Sequence, residues 1–355
     1  MKARFPILAL LLACGCTTPE VSDSASGPIT YRDNAYATRF RIGERGVEKL
    51  LVVLGPGGAH DTIGVYGKSP QGLAFPLKRI AVASTTHLAY IAALGASDAV
   101  AGAAHLGRMH HADRWRHRDP PVEEIGTAAG IDRELLLRLG PQALLDHPFG
   151  RKDPGLETAG VPVVQITEYL EEHPLGRAEW LRFFGVLLGV EARADSLFRT
   201  IAGRYTDLIV RDDLQRPTVF FGSSWQDRWH APSGDSYMAT LIHHAGGAYV
   251  LAETGSENIA LDREVVLHHA LKVDRFGQVV AHAGVVDASI VAGGDTRIAK
   301  AIASRRSGFH ANSMMSDLFG QALLEPDTVL LDLCRILHPE RLQGHRPKYF
   351  HALAQ

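Results

Sequence analysis

Twice along this chain, short apolar runs alternate with segments of helical period, and this doubled alternation limits the fold more than any other feature. The first series opens at Arg79-Ile80-Ala81-Val82-Ala83, passes through a helix expected over residues 87–94, and returns to apolar runs at 99–103, 143–145 and 161–166. The second opens at Thr218-Val219-Phe220-Phe221, passes through a helix expected over 237–245, and returns at 278–280 and 308–311. Apolar runs of this length suit strands buried on both faces, and strands that alternate with helices build βαβ units with parallel sheets. The fold class is therefore α/β: two lobes, each with a parallel sheet flanked by helices, over 79–189 and 211–355.

Between the lobes, residues 190–210 carry Ala194, Leu197, Ile201, Tyr205 and Leu208 at near-helical spacing with no internal proline. A helix of roughly twenty residues reaches about 30 Å, enough to join the lobes as a single long helix. The same pattern also suits a surface helix within one domain. Residues 31–78 read as a β-rich N-terminal extension, alternating at 36–42, turning at 43–46 and resuming at 49–54.

The chain opens with a leader. Lys2 and Arg4 precede an apolar run, 7–13, too short to span a bilayer. It ends in Leu11-Leu12-Ala13-Cys14-Gly15-Cys16, which resembles the lipobox where a bacterial lipoprotein is cleaved and its new terminal cysteine acylated. Cys14 is the first candidate for acylation and Cys16 the second. Residues 1–16 are thus the expected signal peptide, and 17–30, rich in Ser, Thr, Pro and acids, a flexible tether. The folded part is expected in the periplasm or at the cell surface, held to a bacterial membrane by lipid alone.

That assignment settles the cysteines and sharpens the charge. Of three cysteines only Cys334 lies beyond the leader; it has no disulfide partner and sits in an apolar run, 329–337, as a small buried hydrophobe. The whole chain has 37 basic against 39 acidic residues. Loss of Lys2 and Arg4 makes it more acidic, which argues against nucleic acid as a partner.

The two halves also share a motif. Gly130-Ile131-Asp132-Arg133-Glu134-Leu135-Leu136-Leu137 is echoed by Ala260-Leu261-Asp262-Arg263-Glu264-Val265-Val266-Leu267, and each copy leads to a strand and then a histidine, His147 and His282. Asp132 and Asp262 suit helix N-caps, and a glutamate in the first turn complements the helix dipole. Capping alone does not explain why both halves carry the same tripeptide at an equivalent point; two related surfaces facing one symmetric partner would.

Residues 78–353 resemble the periplasmic binding proteins that serve iron-siderophore, cobalamin and haem importers. The resemblance rests on Arg79-Ile80-Ala81-Val82-Ala83-Ser84-Thr85-Thr86-His87 as the first βα unit and on the acidic helix ending at Pro141. It rests also on Pro232-Ser233-Gly234-Asp235-Ser236-Tyr237 with Ala245-Gly246-Gly247. It implies two lobes joined by one rigid helix, a monomer, and delivery of a small molecule to an ABC permease dimer. It also implies that Glu134 and Glu264 dock onto permease arginines through charge-assisted contacts.

In such a fold the ligand lies outside the carboxyl ends of the strands. The ligand-binding candidates are then Thr85, Thr86, His87, His111, Phe149 and Tyr169 in the first lobe. In the second they are Ser224, Trp225, Trp229, His282 and His310. Free amides at the helix start near Thr85 favour an anionic group, and the aromatic residues offer flat walls for a ring system. Neither the compact acid-and-histidine set nor the long His-rich loop of zinc and manganese binders occurs. The expected ligand therefore brings its iron or cobalt already chelated, as a ferric siderophore, cobalamin or haem, and the protein has no cofactor of its own. His243, His244, His268 and His269 are expected on helices away from the cleft, solvated or capping.

The alternatives are an exported hydrolase and a direct metal-ion binder. The chain has no Gly-x-Ser-x-Gly elbow, for which Gly222-Ser223-Ser224-Trp225 is a poor substitute, and no His-Glu-x-x-His pair. Gly55-Pro56-Gly57-Gly58 lacks the lysine of a phosphate loop and reads as a turn. No catalytic residue is therefore expected.

Overall fold

Residues 30–67 form a four-stranded antiparallel meander, larger than a hairpin: β1 (Thr30–Arg32), β2 (Phe40–Arg45), β3 (Glu48–Leu54) and β4 (Thr62–Gly67), paired in sequence order. The computed structural model describes residues 27–67, 73–127, 130–148, 160–211, 215–226, 228–255 and 257–354. The expected signal peptide, Cys14, Cys16 and Phe149 lie outside the described residues.

The first lobe is a six-stranded sheet ordered β10-β9-β5-β6-β7-β8. It is made of β5 (Ile80–Val82), β6 (Val100–Ala104), β7 (Glu123–Thr127), β8 (Gly130–Ile131), β9 (Ala143–Asp146) and β10 (Val163–Gln165). All are parallel except β8, which turns back on β7. Helices α1 (Thr85–Ala93), α2 (Asp113–Arg116), α3 (Arg133–Leu139) and α4 (Pro174–Leu188) accompany the sheet. Ile80, Val82, Val100 and Leu145 are buried in one continuous core with Leu88 and Ile91 of α1, as short strands apolar on both faces require.

The N-terminal sheet is bolted to this lobe by buried acid. Phe40 lies 4.9 Å from Trp180 of α4, edge to face. Beside them Glu179, 0% exposed, accepts the backbone N–H groups of Ala35, Tyr36 and Ala37 at 2.7–2.8 Å and a guanidinium N–H of Arg182 at 2.6 Å. Glu171 accepts the amides of Thr38 and Arg39 and the Trp180 indole N–H. A loop that would otherwise bury unpaired donors is satisfied by two carboxylates.

Helix α5 (Glu191–Leu208) follows α4 and packs on it and on α10 (Pro326–Leu337). Its inward face is Ala194, Phe198, Ile201 and Tyr205, and its eighteen residues span about 27 Å. Gly185 lets α4 and α5 touch: a Cβ there would stand 2.6 Å from the Ala194 Cβ. Ion pairs fasten both ends, Arg182 to Asp195 at 2.8 Å and Arg204 to Asp327 at 2.7 Å.

The second lobe departs from the expected parallel sheet. Its order is β14-β12-β11-β15-β16-β17, with β13 also on β11. The strands are β11 (Thr218–Trp225), β12 (Arg228–Pro232), β13 (Ala248–Tyr249), β14 (Asn258–Leu261), β15 (Arg275–Val280), β16 (Gly308–Asn312) and β17 (Phe350–Ala352). Only β13, β11, β15 and β16 run parallel; β12, β14 and β17 are antiparallel additions. β12 follows β11 in sequence too closely to run parallel to it, since parallel neighbours need a crossover of a dozen or more residues. Helices α6 (Tyr237–His244), α7 (Arg263–Ala270), α8 (Ala288–Val291) and α9 (Thr296–Arg305) complete the lobe.

Candidate functional site

The carboxyl ends of the two sheets meet. The Nε2 of His110, in the loop after β6, is 2.8 Å from the backbone oxygen of Ser313, in the loop after β16. Deeper in the same joint the guanidinium of Arg177 lies 4.0 Å over the ring of Tyr237. Nearby His173 of the first lobe packs 5.5 Å from His244 of the second, whose Nδ1 is 2.8 Å from the Tyr205 hydroxyl. Burial, then the neighbouring His173 and His243, pushes the His244 pKa down to about 4; burial also lowers that of His173.

Several predicted residues stand on loops or helix starts at these ends. Thr85 and Thr86 form the first turn of α1, half-buried, and Ser84 ahead of them is extended with no side-chain cap. Tyr169 is half-buried in a single 3₁₀ turn after β10, its hydroxyl pKa raised by burial and by Glu168. Ser224 is half-buried at the end of β11, and Trp225 beside it is 62% exposed, 5.9 Å from the His230 ring. His282 follows β15, where its main chain is clamped by the Asn312 amide, which accepts at 3.2 Å and donates at 2.7 Å. His111 is exposed but lines a different cavity, beside α1.

Three predicted contacts are corrected. His87 is 0% exposed, 3.6 Å from Glu168 and 6.0 Å from the Phe184 ring centre. With Tyr90, Ile91 and Leu94 it forms the inward stripe of α1, so helical period turns it away from any ligand. Trp229 is 2% exposed and packs against Phe220 and Phe276 as core; its strand partner Ser224 and its neighbour Arg228 lie nearer solvent. His310 is not on a loop but within β16, paired with His351 of β17. Burial and then His351 lower its pKa to about 4. Nor are all the outlying histidines solvated, since His269 stacks on Phe220 at 5.1 Å and His244 sits in the joint.

The shared motif occupies equivalent places. Each copy follows an edge strand, β8 or β14, and opens a helix, α3 or α7. Asp132 caps α3 by accepting from Leu135 N–H at 2.9 Å. Asp262 makes no such cap; Arg228 holds its carboxylate at 3.3 Å. Both glutamates are exposed, yet Glu264, 72% exposed, is paired to Arg297 at 2.7 Å.

Sequence reasoning had the 105–111 loop, with His110 in it, among the candidates, and missed Arg177, which lies in the joint over Tyr237. Arg177 carried no visible signal, because a charged residue at a helix start reads as surface.

A family model described as periplasmic binding protein matches residues 80–273, more than half of the sequence. The chain belongs to the periplasmic binding protein family. Its fold is also that of the TroA-like periplasmic binding protein FepB from Veillonella parvula: TM-score 0.59 at 14% identity, covering 80% of this chain and 97% of that one. A periplasmic heme binding protein from Pseudomonas aeruginosa gives TM-score 0.56 at 16% identity over 79% and 99% of the two chains. The vitamin B12 binding protein BtuF of Vibrio cholerae gives 0.53 at 16% over 76% and 99%. By sequence, an uncharacterized lipoprotein of Methanocaldococcus jannaschii is 23% identical over 288 residues, 78% of this chain and 68% of its own length. The matched family and these structural neighbours are described as binding proteins. Among the described residues no helix is long and apolar enough to cross a membrane.

Proposed function

We propose that this binding protein captures a metal chelate, a ferric siderophore, cobalamin or haem, between its lobes and hands it to an ABC permease dimer from a lipid anchor at Cys14 or Cys16. The observation that carries the reading is the meeting of the two sheets' carboxyl ends at the His110–Ser313 bond. Around that meeting, loop ends carry hydroxyls and aromatic faces: Thr85, Thr86, Tyr169, Ser224 and Trp225. Such groups suit a large ligand whose metal arrives already wrapped, because flat rings supply area and a few hydroxyls fix orientation. The names of the structural neighbours, heme binding and vitamin B12 binding, support this class, and the lipoprotein relative supports the anchor. Glu134 and Glu264, exposed at equivalent outer edges of the lobes, are the permease contacts in this reading.

One experiment tests both halves. Protein purified from its host should carry a coloured ligand that native mass spectrometry and absorption spectroscopy identify as one of the three. Changing Trp225 and Tyr169 together to Ala should weaken its rebinding about tenfold or more. The Glu134→Ala, Glu264→Ala pair should leave rebinding intact and reduce stimulation of the permease ATPase. A colourless, metal-free ligand, or unchanged affinity in the aromatic variant, would sink the chelate reading.

A further inference from the structure

We infer that the cavity beside α1 is a second small-molecule site, separate from the place where the sheet ends meet, and that it takes an amphipathic anion. The cavity holds about 560 Å³, within the range of small-ligand pockets. None of Thr85, Thr86, Tyr169, Ser224, Trp225 or His282 lines it. Its walls are the later turns of α1, the middle of α5, and the segments around Arg114 and Gln321, so it touches both lobes and the helix that joins them.

The apolar part is built by small residues on one side and large ones on the other. Ala89, Ala92 and Ala93 present a face of α1 that leaves space, while Leu197 and Ile201 of α5 stand among the larger walls. A ligand with an apolar chain or ring would release water from these surfaces.

The charges around it are unevenly committed. Glu325 is engaged three times over, by Gln321, Lys348 and the Tyr349 hydroxyl, and these donors hold its pKa low against the upward push of burial. Arg204 is paired with Asp327, and the Asp317 carboxylate accepts the Gln321 amide. Arg114 has no ionic partner among the described residues, and His111 stands three residues before it on the same wall. The open charges are therefore Arg114, positive on the first-lobe wall, and Asp317, negative on the second-lobe wall. A carboxylate or sulfonate fits with its head at Arg114 and its apolar body along α1 and α5, and because the body would touch α5 and the second lobe, its binding would be linked to how the lobes sit.

The test uses the full chain and the dye 1-anilinonaphthalene-8-sulfonate, displaced by decanoate or by decylammonium. The expected result is one saturable dye site per chain, displaced by decanoate and poorly by decylammonium. Ala92→Trp, which fills the cavity, and Arg114→Glu, which reverses its open charge at an exposed position, should each weaken the dye about tenfold or more. Trp225→Ala should leave it unchanged. Equal dye affinity in Arg114→Glu, or loss in Trp225→Ala, would overturn the separate site, and displacement by decylammonium as readily as by decanoate would overturn the assignment of an anion. These outcomes do not depend on which chelate the protein carries, so the two readings fail separately.

Discussion

The two junctions that the first lobe makes are built from opposite materials. Toward the N-terminal sheet it offers Glu171 and Glu179, buried acids that between them accept the main-chain amides of five consecutive residues, 35 to 39. Toward the second lobe it offers one hydrogen bond from His110, a cation over a ring, and a histidine packed on a histidine. Parting the first junction would strip two buried carboxylates of their main-chain donors. The second is held by packing as well: Leu88 and Phe184 of the first lobe share one buried core with Met238 and Phe309 of the second. The seams therefore differ in material: one is closed by carboxylates that satisfy main-chain amides, the other by apolar packing with a few polar groups.

The sharpest way to break the contrast is Glu179→Ala. It leaves three amides without their acceptor and Arg182 with Asp195 alone, and should cost roughly 3–5 kcal/mol, or a fall of roughly 10 °C in the thermal midpoint; a fall under about 2 °C would mean the seam is not fixed by this acid. A second measurement uses pH. The folded chain keeps His244 neutral down to about 4, whereas the unfolded chain protonates it near 6.5. Stability should therefore drop as pH falls from about 6.5 to about 4, by a few degrees in midpoint, and His244→Gln should flatten that part of the curve. Glu171 acts the other way. Burial raises its pKa against the pull of the Thr38 and Arg39 amides, so over its range acid favours the folded form at that seam. If His244→Gln leaves the curve unchanged, the histidine contact does not set the acid response. The smallest effect is expected from His110→Ala. Losing one net hydrogen bond costs about 0.5–1.5 kcal/mol, and hydrogen exchange should show no change in the N-terminal sheet while the 313–320 loop loses protection.

Much of this was legible in the sequence. The alternating pattern located β5, β6, β11 and β16, and the spacing of Ala194, Ile201 and Tyr205 marked the buried face of α5. His87 was legible too, since it lies three, four and seven residues before Tyr90, Ile91 and Leu94 and so belongs to the buried stripe. Trp225 and Trp229 were not separable, because each sits near the turn of one hairpin and only the register, Ser224 opposite Trp229, decides which ring is inside. Glu171 and Glu179 were invisible for a different reason. A carboxylate is read as surface unless its acceptors' partners are known, and here those partners are main-chain amides more than 130 residues away.

The N-terminal sheet has a mechanical consequence. Any pull delivered at residue 27 enters through β1, spreads across the meander and passes through the Glu171 and Glu179 clamp into the first lobe. It does not cross the seam between the lobes. A leash fastened there would load the N-terminal sheet and its carboxylate clamp before any force reached the contact between the lobes.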